Sequence, residues 1–521
     1  MRMLENNLEN AEDADNLVIY ASLAKAARDW DAYHAIERCL KTMGEDQTLV
    51  VQSGKPVGLF NTYATAPIVV IANGFVAAPE GSNPRKYTYD MLEKKKLMLP
   101  GMTAGAWQYI GSQGIIQGTY ETFAAAGREY FGGSLSGRTI LTAGCGGMGG
   151  AQPLAGVMVG ASILVADVRA EPMKMRLEQK YLEEMTEDLD AAIDRWLDAA
   201  RRGKPRSVGV VANIVDVNDR LIARGIVPDI VTDQTTTELR LGYYPAGLSA
   251  EEADQLRETD PERIEELNKK TIARHVRAML AFQEQGAVVF EYGNALRRVA
   301  RQHAGVDNSY DIGLYMTMFI RPLFCQGIGP FRWLSISGDP EDIYRIDAML
   351  LEMFADTSRV TNWLKIANRI EFTGLPARIC WLGHGERERA AKEVNAMVRR
   401  GELSGPIAFT RDHHDCGGAS IPERETFQMK DGSDAITDWA LLNCLLNASS
   451  GADLVALHSH FAAGVSSGVT VVADGSEQAD SRITRVLTAD TGLGVLRYDD
   501  AGYEIAAETR RAHGLGLPGE Q

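Results

Sequence analysis

The chain has 521 residues, 45% of them hydrophobic and 24% charged, which suits a globular enzyme and is too long for one ordinary core. A formal charge of −16 argues against nucleic acid or an anionic membrane as a partner, since either needs a concentrated basic face. The acidic opening MRMLENNLENAEDAD has no apolar core, so no signal or transit peptide is expected, and the longest nearly apolar run, residues 155–166, is too short to span a bilayer.

Residues 16–43 read as a strand (LVIY) followed by a helix carrying Ala24, Ala27, Trp30 and Tyr33. Residues 48–51 and 68–72 are further short strands, with 52–58 as a turn in which Lys55 is solvated, anion binding being the alternative. Residues 80–86 form a surface loop, while 99–107 and 111–118 are dense in glycine and lie close to another segment or a ligand. Six cysteines (Cys39, Cys145, Cys325, Cys380, Cys416, Cys444) are scattered without a C-x-x-C pair. That spacing predicts free thiols in a reducing cytoplasm and no metal site.

The chain's most informative stretch is residues 138–167. A β-branched run (Thr139 to Thr142) leads into Gly144-Cys-Gly146-Gly147-Met148-Gly149, then a small-residue helix, a second apolar run and Asp167, 18 residues beyond Gly149. Glycines let a backbone approach a pyrophosphate, and an acid at that distance holds ribose hydroxyls, so the pattern predicts dinucleotide binding. Beyond it, 172–202 is helical, as one helix or two, 208–212 is a strand ending at Asn213, and 230–231 is a strand ending in the run Asp233, Gln234, Thr235, Thr236 and Thr237. Residues 249–285 are helical and 288–290 form a strand ending near Tyr292. This alternation predicts a mainly parallel doubly wound α/β sheet with ligand-facing residues at its strand ends. From about Arg321 the chain turns loop-rich and aromatic, which predicts a return to the first domain. The expected boundaries are 1–110 and 319–521 for a split core domain, with 111–318 inserted.

Arg332 and Arg378 sit in what read as glycine/proline loops and are candidate receptors for a carboxylate, a structural salt bridge being the alternative. Cys380 lies in a short apolar run and on chemistry alone reads as a buried thiol. Residues 411–416, RDHHDC, favour acid–base work over metal binding, because adjacent His413 and His414 project to opposite sides. Either Asp412 or Asp415 is a candidate to polarise an imidazole N–H or a water. His458 and His460 alternate on a strand end beside the same cleft.

Taken together, QSGKPVG, MTAG, QGTYETF, AGCGGMGGAQPLA, DQT, YGN, IRPLFCQGIGPFRW, GLPARICW, RDHHD, RET and DGSDA resemble the urocanate hydratase (urocanase) family, in that family's order and over nearly the whole chain. The resemblance implies a Rossmann-like NAD+ domain inserted into a discontinuous core domain, in a homodimer. It also implies a hydro-lyase in which bound NAD+ acts as an electrophile toward the imidazole of a urocanate-type substrate, without net redox. Gly144, Gly146, Gly147, Met148, Gly149, Asp167, Asn213, Gln234, Thr235, Thr236, Tyr243 and Tyr292 would then line the cofactor. Cys380, Asp412 or Asp415, and Tyr20 would be catalytic. Arg332, Arg424, Thr103 and Tyr63 would bind substrate, with Arg332 on its carboxylate.

Departures from the family pattern gather around these positions: Ala21-Ser22 for a diglycine, Gly101 for Gln, Tyr63 for His and Asp167 for Glu. A glycine-rich segment is also replaced by the shorter LHSHFAAGVSSG at 457–468. They predict an altered ring, as in thiourocanate or S-methyl thiourocanate, with plain urocanate as the alternative. The other classes weighed are an NAD-dependent dehydrogenase and an inactive NAD-binding paralogue.

Overall fold

Two stretches far apart in sequence, Met1–Gly114 and Arg321–Gln521, build one unit, and Ile115–Ile320 builds the other. The computed structural model describes residues 1–20, 24–98, 101–111, 113–460 and 464–517. The Ala21-Ser22 substitution and residues 461–463 of the shortened segment lie outside the described residues.

The inserted unit carries a seven-stranded sheet ordered Gly313–Leu314, Val288–Glu291, Ile230–Val231, Thr139–Ala143, Ser162–Asp167, Arg206–Val211, Glu184–Thr186, all neighbours parallel. Its central strands are continuous Val/Ile/Leu/Ala runs because helices cover both faces. Trp196 of helix Leu189–Arg201 docks on the sheet by exchanging hydrogen bonds with Ser162 (indole N–H to the Ser162 carbonyl 3.0 Å, Ser162 hydroxyl to the Trp196 carbonyl 2.8 Å). The expected helical stretch 172–202 is interrupted by edge strand Glu184–Thr186, whose three half-buried residues carry no apolar periodicity. The stretch 249–285 is two helices, Ala250–Thr259 and Pro261–Glu284, because Asp260 caps the second and Pro261 cannot continue the first.

The other unit holds a mixed sheet with the path Ala377–Leu382, Gly329–Ser335, Ile407–Arg411, Val465–Ala473, Leu454–Ser459, Ile68–Asn73, Gln47–Gln52, Lys55–Asn61. Residues 52–58 are the tip and second strand of a hairpin, with the turn confined to Ser53-Gly54. Register sorts the sheet's side chains into two faces. Phe331 pairs with Cys380 and Arg411, whereas Arg332 pairs with Ile379 and Thr410. The Arg411 face is packed by helices, among them Glu477–Asp500, whose Asp490 accepts from Arg411 at 2.8 and 2.9 Å. The Arg332 face meets the glycine-dense residues 101–111 and 113–114, where Gln108 donates to Thr470 (2.8 Å) and the Gly114 carbonyl accepts from Arg332 (3.2 Å).

Candidate active site

In the inserted unit, strands Thr139–Ala143 and Ile230–Val231 are neighbours at the point where the chain's winding direction reverses. Ligands of doubly wound sheets bind at such a point. The glycine loop leaves one strand there and the Gln234–Thr236 loop leaves the other. Gly144 has φ +85°, and a Cβ on it would sit 2.6 Å from the Gln234 carbonyl, so only glycine fits this crossing. Gly149 abuts the Gly144 backbone in the same way. Gly146 has open space where a Cβ would be, Gly147 is half-buried, and Met148 is 43% exposed.

Asp167 closes the loop: its carboxylate accepts from the backbone N–H of Cys145 (2.8 Å) and of Arg169 (3.0 Å). Burial pushes its pKa up, partly offset by those donors. The Gln234 side-chain carbonyl is buried without a hydrogen-bond partner among the described residues. Asp233, in the same motif, was not singled out from sequence. It organises the loop, accepting from the Thr235 hydroxyl (2.8 Å) and the Asn294 amide (2.5 Å).

Several expected cofactor contacts have other work. Tyr243 is in the core, 3% exposed, with its hydroxyl on buried His275 (3.2 Å). The Asn213 side chain caps helix Ile214–Ala223 and donates to the Tyr244 carbonyl. The Tyr292 hydroxyl donates to Thr119 (3.1 Å) and its ring stacks on Tyr315. The Thr236 side chain lies against Gly242.

In the core unit, buried Arg332 and Thr103 and half-buried Asp412 and Tyr20 form one cluster. Arg332, 3% exposed, is ion-paired with Asp412. Burial raises the Asp412 pKa, but Arg332, His414 and Arg424 outweigh it, so the carboxyl stays below its usual range. The Tyr20 hydroxyl shares a hydrogen bond with Thr103 (3.2 Å) and accepts from the Met102 N–H (2.9 Å). Burial raises the Tyr20 pKa, and the Asp412 charge adds to the rise.

The two adjacent histidines take opposite sides, as their spacing predicts. His413 donates to Gln108 (2.5 Å) and packs on His458, ring centroids 4.0 Å apart. His414 contacts Glu425 (Nδ1 to Oε1, 2.6 Å) and Arg424 (Nη2 to Nε2, 2.7 Å), and His460 lies 6.2 Å from it. Gln108 and Glu425 escaped the sequence reading. Glu425 sits inside the RET motif next to Arg424, which was the available signal.

The structure separates the remaining candidates from this cluster. Asp415 is held by Arg387 through two bonds (2.8 and 3.0 Å), both side chains 1% exposed, on the helix-packed side. Arg378 is a strand residue, not a loop residue, and pairs with Asp347 while donating to the Ala367 carbonyl. Arg332 likewise belongs to a strand. Cys380 is fully buried on the face opposite Arg332. Tyr63, 56% exposed, follows the strand whose end pairs with Gln47, at the sheet end remote from Asn73 and His458. Among the described residues no cluster of three metal-ligating side chains occurs, and no helix is long and apolar enough to cross a membrane.

Comparison with known proteins adds three family matches: the urocanase N-terminal domain over residues 1–108, the urocanase Rossmann-like domain over 111–319 and the urocanase C-terminal domain over 322–512. A protein of Variovorax sp. (strain JCM 16519 / RA8) named S-methyl thiourocanate hydratase is 54% identical over 520 residues, spanning 99% of this chain and 94% of that protein.

Proposed function

Since the chain belongs to the urocanase family, we propose that it is a hydro-lyase that adds water to an imidazole-propenoate of the S-methyl thiourocanate type, giving an imidazolone-propionate-type product. The observation that carries the reading is the buried Arg332–Asp412 pair, flanked by Tyr20 and Thr103, in a chain so close to the Variovorax hydratase.

A Rossmann-like domain takes a nucleotide cofactor, and the proposed one is NAD+, retained through turnover. The residues present fit it: the Gly144–Gly149 cradle has no room for side chains at its crossings and open space at Gly146, and the unpartnered Gln234 carbonyl offers an acceptor. Backbone of Gly146, Gly147 and Met148 would hold the diphosphate, and Asp167 the ribose hydroxyls. When bound, a cationic nicotinamide supplies an electrophile that draws electrons from the substrate's imidazole.

The chain's own residues orient and place charge. Arg332 grips the propenoate carboxylate with a planar fork already half committed to Asp412, and Arg424 is the second cation. Asp412, held ionised, accepts an imidazole N–H. Tyr20 and Thr103 close the pocket as a linked pair. Asp415 and Cys380 belong to the layer behind these groups, so Asp412 is the acid–base candidate of the two aspartates. The assembly is proposed to be a homodimer, to be read by light scattering on an eluting peak. Urocanate, thiourocanate and S-methyl thiourocanate assayed side by side test the substrate. The S-methyl compound is expected to turn over fastest, and exclusive turnover of urocanate would refute the assignment.

A further inference from the structure

His414, a residue between the two aspartates of the RDHHD run, sits in a built environment that the roles above leave unused. Its Nδ1 is 2.6 Å from Glu425 Oε1, its Nε2 is 2.7 Å from Arg424 Nη2, and its backbone N–H donates to Asp412 (3.2 Å). Glu425 is 1% exposed, whereas the side chains of Asp412, His414 and Arg424 are 14%, 17% and 23% exposed, so these three share the accessible side and Glu425 backs them. Burial works against the Glu425 charge, but His414 and Arg424 hold its carboxyl down at about 2. An ionised Glu425 can only accept, so Nδ1 carries the imidazole proton. Nε2 is then the lone-pair nitrogen, and Arg424 lies against the ring, within reach of both nitrogens.

This is the arrangement of an imidazole oriented by a carboxylate, with a cation against its ring. We infer that His414, oriented by Glu425, is the base that takes the proton from the attacking water, and that Arg424 rests against its ring until a substrate carboxylate draws the guanidinium away. The inference rests on the hydratase reading. As the water oxygen bonds to the ring carbon, one O–H bond breaks, its electron pair stays on oxygen, and the proton goes to Nε2. The π pair displaced toward the propenoate carbon takes the proton back from the imidazolium. One water is added, the imidazole is restored, and no oxidant or reductant is needed.

The charged and titratable groups around His414 are Asp412, Glu425, Arg424, its chain neighbour His413, His458 and His460. The last three are neutral, their pKa values pushed down by burial, to about 3 for His460. The test compares the wild-type holoenzyme with His414→Gln, His414→Ala and Glu425→Gln over a full pH range. His414→Gln is expected to lower kcat about 10²- to 10⁴-fold with little change in KM and to abolish the acid limb of kcat. Added imidazole is expected to restore turnover in His414→Ala. Glu425→Gln is expected to move the acid limb to lower pH, a shift that a merely structural contact would not produce. A kcat within about tenfold of wild type in His414→Gln, or a loss confined to KM, would overturn the inference and make His414 a spacer for Arg424. A wild-type enzyme that turns over none of the three acrylates would overturn the hydratase reading itself, and the inference with it.

Discussion

Replacing Arg332 by Ala probes the grip on the substrate and the electrostatics of the cluster together. Arg332 is 3% exposed, pairs with Asp412 and donates to the Gly114 carbonyl, and a Cβ at Gly114 would already lie 3.1 Å from its guanidinium. Removing it strips the counter-charge from a buried Asp412 and from the incoming carboxylate. Breaking one side of a desolvated pair costs about 3–5 kcal/mol, which in kcat/KM is a loss of roughly 10²- to 10³-fold or more. Arg332→Lys keeps the charge but loses the fork, so it should recover only part of that loss. The assay is the decay of the substrate's conjugated ultraviolet band, with circular dichroism confirming that each variant is folded. The companion Asp412→Asn removes the charge that Arg332 neutralises, so the double variant should lose less than the sum of the singles. A folded Arg332→Ala enzyme with kcat/KM within about tenfold of wild type would refute the carboxylate assignment.

Stability should fall as pH drops below the ordinary histidine range. Burial holds His413 and His458 well down, His460 at about 3 and His384 at about 4, so the unfolded chain takes up protons near pH 6.5 that the folded chain does not. Each such histidine removes about 1.4 kcal/mol per pH unit between those limits, and a urea midpoint unchanged from pH 7 to 5 would contradict the burial. Gly149→Ala forces a Cβ into the Gly144 backbone, so protein purified with this change should release little nucleotide on denaturation, where wild type releases a stoichiometric amount. Five of the six cysteines are buried and only Cys39 is half-buried, so a thiol reagent should titrate one thiol in the native protein and all six in denaturant. Rapid native labelling of Cys380 would show that its strand face opens.

The doubly wound sheet was legible because its strands are short β-branched runs separated by helical periodicity, and the glycine crossing was legible because Gly144 and Gly149 have no alternative residue. Strand Glu184–Thr186 was not, since an edge strand with three half-buried residues leaves no hydrophobic signature. Arg332 and Arg378 look alike in sequence, each an arginine near a tryptophan. What separates them is Asp347, 31 residues away, which claims Arg378. The same holds for Asp412 and Asp415: Arg387 comes from a helix, and no local pattern announces that it will neutralise the second aspartate. The family resemblance implies a cofactor contact for Tyr243, yet Pro261–Glu284 supplies His275 and draws it into the core. Pairing across long sequence separations, not local chemistry, decided each of these cases.

The most direct test of the account is to follow the holoenzyme with S-methyl thiourocanate at the substrate and NADH absorption bands at once. A hydratase with retained NAD+ predicts complete loss of the acrylate band over many turnovers, with no lasting NADH signal. Accumulation of NADH in proportion to substrate consumed would contradict it and make the chain a dehydrogenase.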